Sequence, residues 1–293
     1  MTTPSPSVRA EFRPLNSSEA LAESLRSAAR SFARRVLRPV TRTRAVVDGE
    51  YNDGHWRRVL QSAAWSHADS PESFLIGDDR RLVVCRMDNR LCRASSRAYY
   101  AHRLEALPAL LSESLGAMDS VVELGCGFGY NLFTLARAFP DAHLRGYDIA
   151  ENGLEAGRRI ATHFGFADRV TFGQLDLTDE NAASFSAIRD ADVFTFFCLE
   201  QIPVDVEAVV QNILKHRPRR VVHIEPGTWG LSPLNPFHWP NIAYIPSVNY
   251  QTRLYSVLFG LRDAGRIRLL RCERMRFAPT IQNDGVLVAW EPS

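Results

Sequence analysis

Between Val121 and Asn131 the chain reads VVELGCGFGYN, with three glycines on alternate positions directly after an apolar run, and Asp148 closes the next run in RGYDIA. Glycine lacks the Cβ that would hold a ligand or a neighbouring segment away from the backbone, so the spacing predicts either a binding loop or a tight strand-to-helix turn that binds nothing. Both options demand the same local fold. A buried strand ends at the first glycine, a helix starts at the last, and a second strand ends at the acid.

That unit repeats. Short apolar runs at 120–124, 143–148, 169–175, 192–198 and 220–225 alternate with helical patterns, which predicts βαβ units, a doubly wound α/β fold and a mostly parallel sheet with helices on both faces. At the C-terminal end, NYQTRLYSVLFGLRDAGRI reads as a helix, and RIRLLRCERMRFA and DGVLVAWEP read as strands around the turn signal Asn283-Asp284-Gly285. So short a connection permits only an antiparallel pair.

Upstream, residues 17–117 read as a mainly helical annex that could serve as a lid. In SSEALAESLRSAARSFARRVLRP, Ser17 or Ser18 can cap a helix whose inward face is Leu21, Leu25, Ala28, Phe32 and Val36, and Pro39 stops it. Arg26, Arg30, Arg34 and Arg35 fall on another face. That face reads as solvated rather than as a membrane or RNA contact. A helix over Tyr51–Trp65 and two short runs around Asp88-Asn89, suited to a hairpin, follow. RAYYAHRLEALPALLSESL is then a helix that delivers the chain to Val121. Residues 1–16, rich in Pro, Ser and Thr, read as a loose tail.

Composition narrows the class. At 293 residues and 45% hydrophobic the chain can bury a full core, and a net charge of +2 is too small for a chain-wide nucleic-acid footprint. Cys85, Cys92, Cys126, Cys198 and Cys272 are scattered, with no CxxC pair and no zinc spacing, as expected of a reduced cytoplasm and of a site without metal. No run of about 18 apolar residues suggests a membrane span, and the first residues lack the apolar core of an export signal.

In such sheets ligands sit beyond the carboxyl ends of the strands. There the amides around Gly125, Gly127 and Gly129 can meet a ligand, and the Asp148 carboxylate can accept both hydroxyls of a ribose. A nicotinamide loop would follow GxGxxG, whereas here Glu123 precedes the first glycine by two residues and Tyr130 follows the last. ELGCGFG resembles motif I of the class I S-adenosylmethionine-dependent methyltransferases, and the likeness extends through GYDIA, QLDLTD at 174–179, FTFFCLEQIP at 194–203 and the terminal hairpin. The resemblance implies a seven-stranded sheet over 118–293 and S-adenosylmethionine as cofactor. By it, Glu123, Gly125, Cys126, Gly127 and Gly129 face the methionine end, Asp148 takes the ribose hydroxyls, Ile149 packs on the adenine, and Asp176 with Leu177 meets the adenine edge. Cys198 stands beside the methyl, and Tyr100, or its neighbour Tyr99, closes over the cofactor.

Methyl transfer needs alignment and sometimes a base. The Asn/Asp-Pro-Pro-Tyr/Phe loop of base and glutamine N-methylases is replaced here by Cys198-Leu199-Glu200-Gln201. No Pro-Cys nucleophile, paired-glutamate loop or Asp/Asp/Asn metal cluster is evident. What remains is metal-independent O- or N-methylation of a small molecule. Its walls are expected in the aromatic loop 227–250, with Glu225, Trp229, Trp239 and Tyr250 as substrate contacts, Glu200 holding the acceptor's polar group and His238 as base, ahead of His102. The same loop could instead make a homodimer contact. An RNA methyltransferase using the arginine-rich helix and a non-catalytic cofactor-binding module are the alternatives.

Overall fold

A computed structural model describes residues 11–202 and 206–293. Residues 1–10 of the expected tail, and Pro203 of the FTFFCLEQIP stretch, lie outside them. The apolar runs form β4 (Ser120–Leu124), β5 (His143–Asp148), β6 (Val170–Gln174), β7 (Asp192–Phe196) and β8 (Arg220–Pro226), and the chain ends in β9 (Ile267–Arg274) and β10 (Gly285–Pro292). They build one seven-stranded sheet in the order β6-β5-β4-β7-β8-β10-β9. Neighbours from β6 to β8 are parallel, and β10 lies antiparallel between β8 and β9. From β4 the chain proceeds outward through β5 and β6, then returns to β7 on the other side. The order therefore reverses between β4 and β7, where such sheets open a crevice for ligands.

The strands are apolar throughout because helices cover both faces. Successive residues point to opposite sides, so Val121 joins one core and Val122 the other. On the first face lie α5 (Ser96–Leu115), α6 (Tyr130–Ala138) and α7 (Glu151–His163); on the second lie α8 (Val206–Lys215) and α10 (Leu254–Asp263).

The segment before Val121 is not a separate helical unit. Leu104, Leu107 and Leu111 of α5 pack in one cluster with Val121, Leu132 and Phe194 of the sheet domain. The segment also carries its own antiparallel sheet, β1 (Arg13–Pro14) against β3 (Arg90–Ser95) against β2 (Leu82–Met87). Asp88 and Asn89 turn the hairpin with φ of 48° and 63°, the left-handed pair a two-residue turn requires. Residues 11–16 are not loose: Phe12 is buried, and β1 pairs with β3.

Asn16, rather than Ser17 or Ser18, caps α1 (Ser17–Leu37), in a capping box with Glu19. The inward face of α1 also differs from expectation. Ala20, Ser24, Ser27 and Ser31 are buried, while Leu21, Leu25, Phe32 and Val36 are exposed. Small side chains let α1 lie close against α9 (Trp239–Ser247), and helix packing won over hydrophobic periodicity.

The expected helix over Tyr51–Trp65 changes type along its length. After α2 (Arg44–Asp48) comes a π-helix at Gly49–Trp56, then α3 (Arg57–Ser62) and a 3₁₀ turn at Ala64–His67. The expected aromatic loop 227–250 is largely ordered into a 3₁₀ turn at Pro236–His238 and α9. Among the described residues no helix is long and apolar enough to cross a membrane.

Because annex and sheet share a core, calorimetry should show a single unfolding transition. Leu107→Ala, at a fully buried position, should destabilise it by about 2–5 kcal/mol without splitting the transition. Two separate transitions would mean that the annex folds independently.

Candidate active site

At the end of β4 the backbone turns through Gly125 and Gly127, with φ of 75° and 55°. The Gly125 and Cys126 amides donate to the Tyr147 carbonyl at 2.7 and 3.1 Å, which locks the loop to the end of β5. Asp148 completes the lock: its Oδ2 accepts from the Gly127 amide at 2.7 Å and its Oδ1 from the Ala150 amide at 2.8 Å. A carboxylate offers about four lone-pair directions, so both oxygens keep capacity for a diol.

The glycines also answer a packing demand. A Cβ on Gly125 would lie 2.0 Å from the Cys198 Sγ, and one on Gly127 would lie 2.5 Å from the Trp56 ring of the π-helix. The alternate spacing is thus accounted for by close approach of the chain's own side chains as well as by any ligand. Asn52 of the same π-helix binds the start of α7, its Oδ1 accepting from the Asn152 amide at 3.0 Å.

The signature of a ligand comes from buried charge. Glu123 is buried at the base of the loop, and its Oε1 accepts from the Asn131 side chain at 2.6 Å. Asn131 in turn accepts from Arg103 of α5 at 2.5 Å, and that guanidinium lies 4.6 Å from the Tyr130 ring centre and 4.5 Å from that of Phe196. Burial pushes the Glu123 carboxyl up to about 8, and its Oε2 has no partner.

Across the crevice, Phe197, the residue after β7, has a φ of 51°, an uncommon conformation for a bulky residue and a mark of local strain. This kink turns the amides of Cys198 and Leu199 onto Glu225 Oε2 at 3.0 and 3.1 Å, while the Thr195 hydroxyl donates to Oε1 at 2.6 Å. His223, buried and held neutral with a pKa near 3 by burial, stands 3.0 Å from that hydroxyl.

Glu200 sits beside Glu225. Burial first, and then the Glu225 charge, raise its carboxyl well above the usual range. With three donors on Glu225 and only the Gln201 side chain, at 2.9 Å, on Glu200, the proton the pair shares rests on Glu200. The Gln201 amide also meets the Tyr250 hydroxyl at 3.2 Å, Tyr244 packs edge-on against the Tyr250 ring, and Tyr51 stands near Glu200. Arg42 caps it, 5.1 Å from the Tyr250 ring centre. Glu123, Asp148, Glu200 and Glu225 all lie within electrostatic reach of the Cys198 thiol, which together with burial they raise far above its usual range.

Glu123, Asp148, Cys198, Glu200, Glu225 and Tyr250 are therefore brought together, along with Cys126, buried inside the loop, and Gly129 at the start of α6. Ile149 stands exposed at the end of β5, and Leu177 is buried in the core below. Asp176 is claimed by its own turn and by the annex, accepting from Thr178 and pairing with Arg44 at 2.7 Å. Other assignments fail. Tyr100 packs on Tyr130 and Tyr99, and the annex ring on the glycine loop is Trp56.

His238, expected as the base, spends its Nδ1 lone pair on the Ser232 amide at 2.9 Å and has Asn235 at Nε2. It braces its own loop, as does Trp239, which donates to the Pro233 carbonyl at 2.8 Å. Trp229 faces outward beside Phe259, and His102 is buried between Phe12 and Phe277. Sequence reasoning missed Tyr51, Trp56 and Arg103, while Tyr244 belongs to the aromatic loop 227–250 expected to line the site. Trp56 and Tyr51 were visible as aromatics in a helical pattern, but nothing in that pattern pointed to the sheet. Among the described residues no three His, Cys, Asp or Glu side chains converge as a metal-binding group.

Residues 122–217 match the family model of a methyltransferase domain. Among solved structures, a geranyl diphosphate methyltransferase in complex with GPP and sinefungin is similar at 15% identity, over 80% of this chain and 99% of that one, with a TM-score of 0.50. A geranyl diphosphate C-methyltransferase from Streptomyces coelicolor A3(2) is similar at 14% identity, over 82% and 98%, with a TM-score of 0.50. The [4+2]-cyclase SpnF is similar at 14% identity, over 81% and 96%, with a TM-score of 0.52. Likeness at this identity speaks for the fold. The family match is confined to residues 122–217; strand order and glycine loop agree with it, and the fold is that of the class I S-adenosylmethionine-dependent methyltransferases.

The cofactor of that class, S-adenosylmethionine, fits the residues present on grounds of charge. It carries a sulfonium and an ammonium against one carboxylate, and the crevice offers the unpartnered buried oxygen Glu123 Oε2 and, on Asp148, a carboxylate held by two backbone amides.

Glu123 yields a stability test. Its folded pKa is raised from 4.5 to about 8, so the stabilisation it contributes is complete below 4.5 and is lost as pH rises through 8. Thermal melts of the ligand-free protein should fall across that interval. Glu123→Gln, which keeps an acceptor for Asn131, should flatten the decline; an unchanged slope would remove Glu123 as its source.

Proposed function

We propose that this protein transfers a methyl group from S-adenosylmethionine to an oxygen or nitrogen of a small, mostly apolar acceptor held among Glu200, Gln201, Tyr250, Tyr51 and Tyr244. The observation that carries this reading is that three buried carboxyl groups, Glu123, Glu200 and Glu225, and the half-buried Asp148 lie within electrostatic reach of Cys198 at the reversal point of the sheet. The cofactor supplies an electrophilic methyl on a sulfonium. The chain's contribution is binding and charge: Asp148 and the loop amides hold the cofactor, and Glu123 offers a buried acceptor for its positive end.

On the acceptor side, the Glu200/Glu225 pair holds one proton and one negative charge. Positive charge builds on the acceptor heteroatom as it is methylated, and a fixed negative charge in a water-poor site stabilises that build-up. Glu225 carries the charge because Thr195 and two backbone amides keep it ionised. Glu200 carries the proton and turns Gln201 and Tyr250 toward the acceptor. The tyrosines exclude water and offer faces to an apolar ligand.

Two substitutions test the assignment. Asp148→Ala should weaken S-adenosylmethionine about tenfold or more in calorimetric titration while the circular dichroism spectrum is retained. Glu200→Gln preserves a donor toward Glu225 and should keep turnover within a few-fold. Glu225→Gln removes the charge and should lower kcat by about 10²–10³ with cofactor affinity nearly unchanged. Equal losses at both positions would assign the charge to Glu200, and retained cofactor binding without transfer to any acceptor would favour a non-catalytic module.

A further inference from the structure

One outward face of α1 is apolar, and among the described residues nothing covers it. Leu21, Leu25, Phe32 and Val36 recur at helical spacing; Phe32 is 67% exposed and Val36 62%. The stripe runs on past the helix through Leu37, 77% exposed, and Val40. Burying Ser24, Ser27 and Ser31 while exposing a phenylalanine inverts the usual choice, and a soluble surface rarely gathers so many large apolar side chains on one short segment.

The charges beside this stripe have one sign. Between Glu23 and Asp48 the sequence holds seven arginines and no acidic residue, although the whole chain carries only +2. Arg26 pairs with Glu23, Arg42 with Glu50 and Arg44 with Asp176. Arg30, Arg34, Arg35 and Arg38 are exposed and have no carboxylate partner among the described residues.

We infer that the segment from Leu21 to Val40 docks the protein on an anionic lipid surface, with the apolar stripe in the headgroup boundary and the arginines on lipid phosphates and carboxylates. An apolar stripe on one face and arginines on another is the composition of a helix that lies in a membrane interface, and each arginine near an anionic leaflet adds attraction. RNA would use the arginines and leave Phe32, Val36 and Leu37 in water. A second copy would cover the apolar face but set one arginine-rich segment against another of the same sign. The opposite face of α1 packs on the 3₁₀ turn Pro236–His238 and on α9, so docking would bring the ordered part of 227–250 close to the bilayer. This inference stands independently of the reaction proposed above.

Flotation with vesicles decides it. The full chain should partition onto phosphatidylcholine vesicles containing roughly one third phosphatidylserine, and not onto phosphatidylcholine alone. Combining Phe32→Asp with Val36→Asp should weaken that partition at least about tenfold, because burial of two apolar side chains is lost. Replacing Arg30, Arg34, Arg35 and Arg38 by glutamine should weaken it comparably and reduce its salt dependence. All six positions are exposed, so melting curves should stay unchanged. The inference falls if the wild type does not partition onto anionic vesicles, whether or not it binds an RNA oligonucleotide. It falls equally if the Phe32/Val36 variant binds vesicles like the wild type, or if sedimentation finds a dimer that this variant dissociates.

Discussion

Four carboxyl groups near one thiol, three of them buried and Asp148 half-buried, are the constraint to which the upper rim of the sheet is fitted. An ionised carboxylate moved out of water costs several kcal/mol unless donors replace the lost hydration. Each acid here meets that cost differently. Asp148 takes two backbone amides, Glu225 takes two amides and a hydroxyl, Glu123 takes one side-chain amide and shifts its pKa, and Glu200 keeps its proton. The positive φ at Phe197 serves the same end, since it aims the amides of Cys198 and Leu199 at Glu225. The rim is thereby a place where positive charge is welcome.

The annex completes that rim. Arg103 reaches Asn131 and through it Glu123, Trp56 covers Gly127, Asn52 holds the start of α7, Tyr51 stands near Glu200, and Arg44 takes Asp176. These contacts come from two stretches, α2 with the π-helix that follows it and α5, and Leu107 and Leu111 root α5 in the core of the sheet. A π-helix widens the turn and is commonly found at functional positions, and here it presents Tyr51, Asn52 and Trp56 to three different parts of the site.

How much of the site was legible follows from how local each interaction is. The glycine loop, Glu123 and Asp148 belong to one βαβ unit, so spacing alone brings them together. Glu200 and Glu225 follow adjacent strands and were within reach of the same reasoning. His238, Trp229 and Trp239 were chosen for chemistry and position after β8, yet Asn235 and Pro233 hold His238 and Trp239 to their own segment and Trp229 stands beside Phe259. Tyr100 was named from the resemblance, as part of the segment just before the fold that closes over the cofactor, whereas the annex ring on Gly127 is Trp56, a contact no local pattern marks.

By itself the sequence determined the alternation of strand and helix, the antiparallel end and the positions of the glycine loop and its acids, because apolar period, turn chemistry and backbone geometry act over a few residues. Only the tertiary structure decided which face of α1 is inward and which annex side chains reach the rim. It also decided that the proton of the carboxyl pair rests on Glu200. These outcomes depend on how closely two helices approach and on how many donors surround a buried oxygen, quantities that exist only once distant segments are packed together.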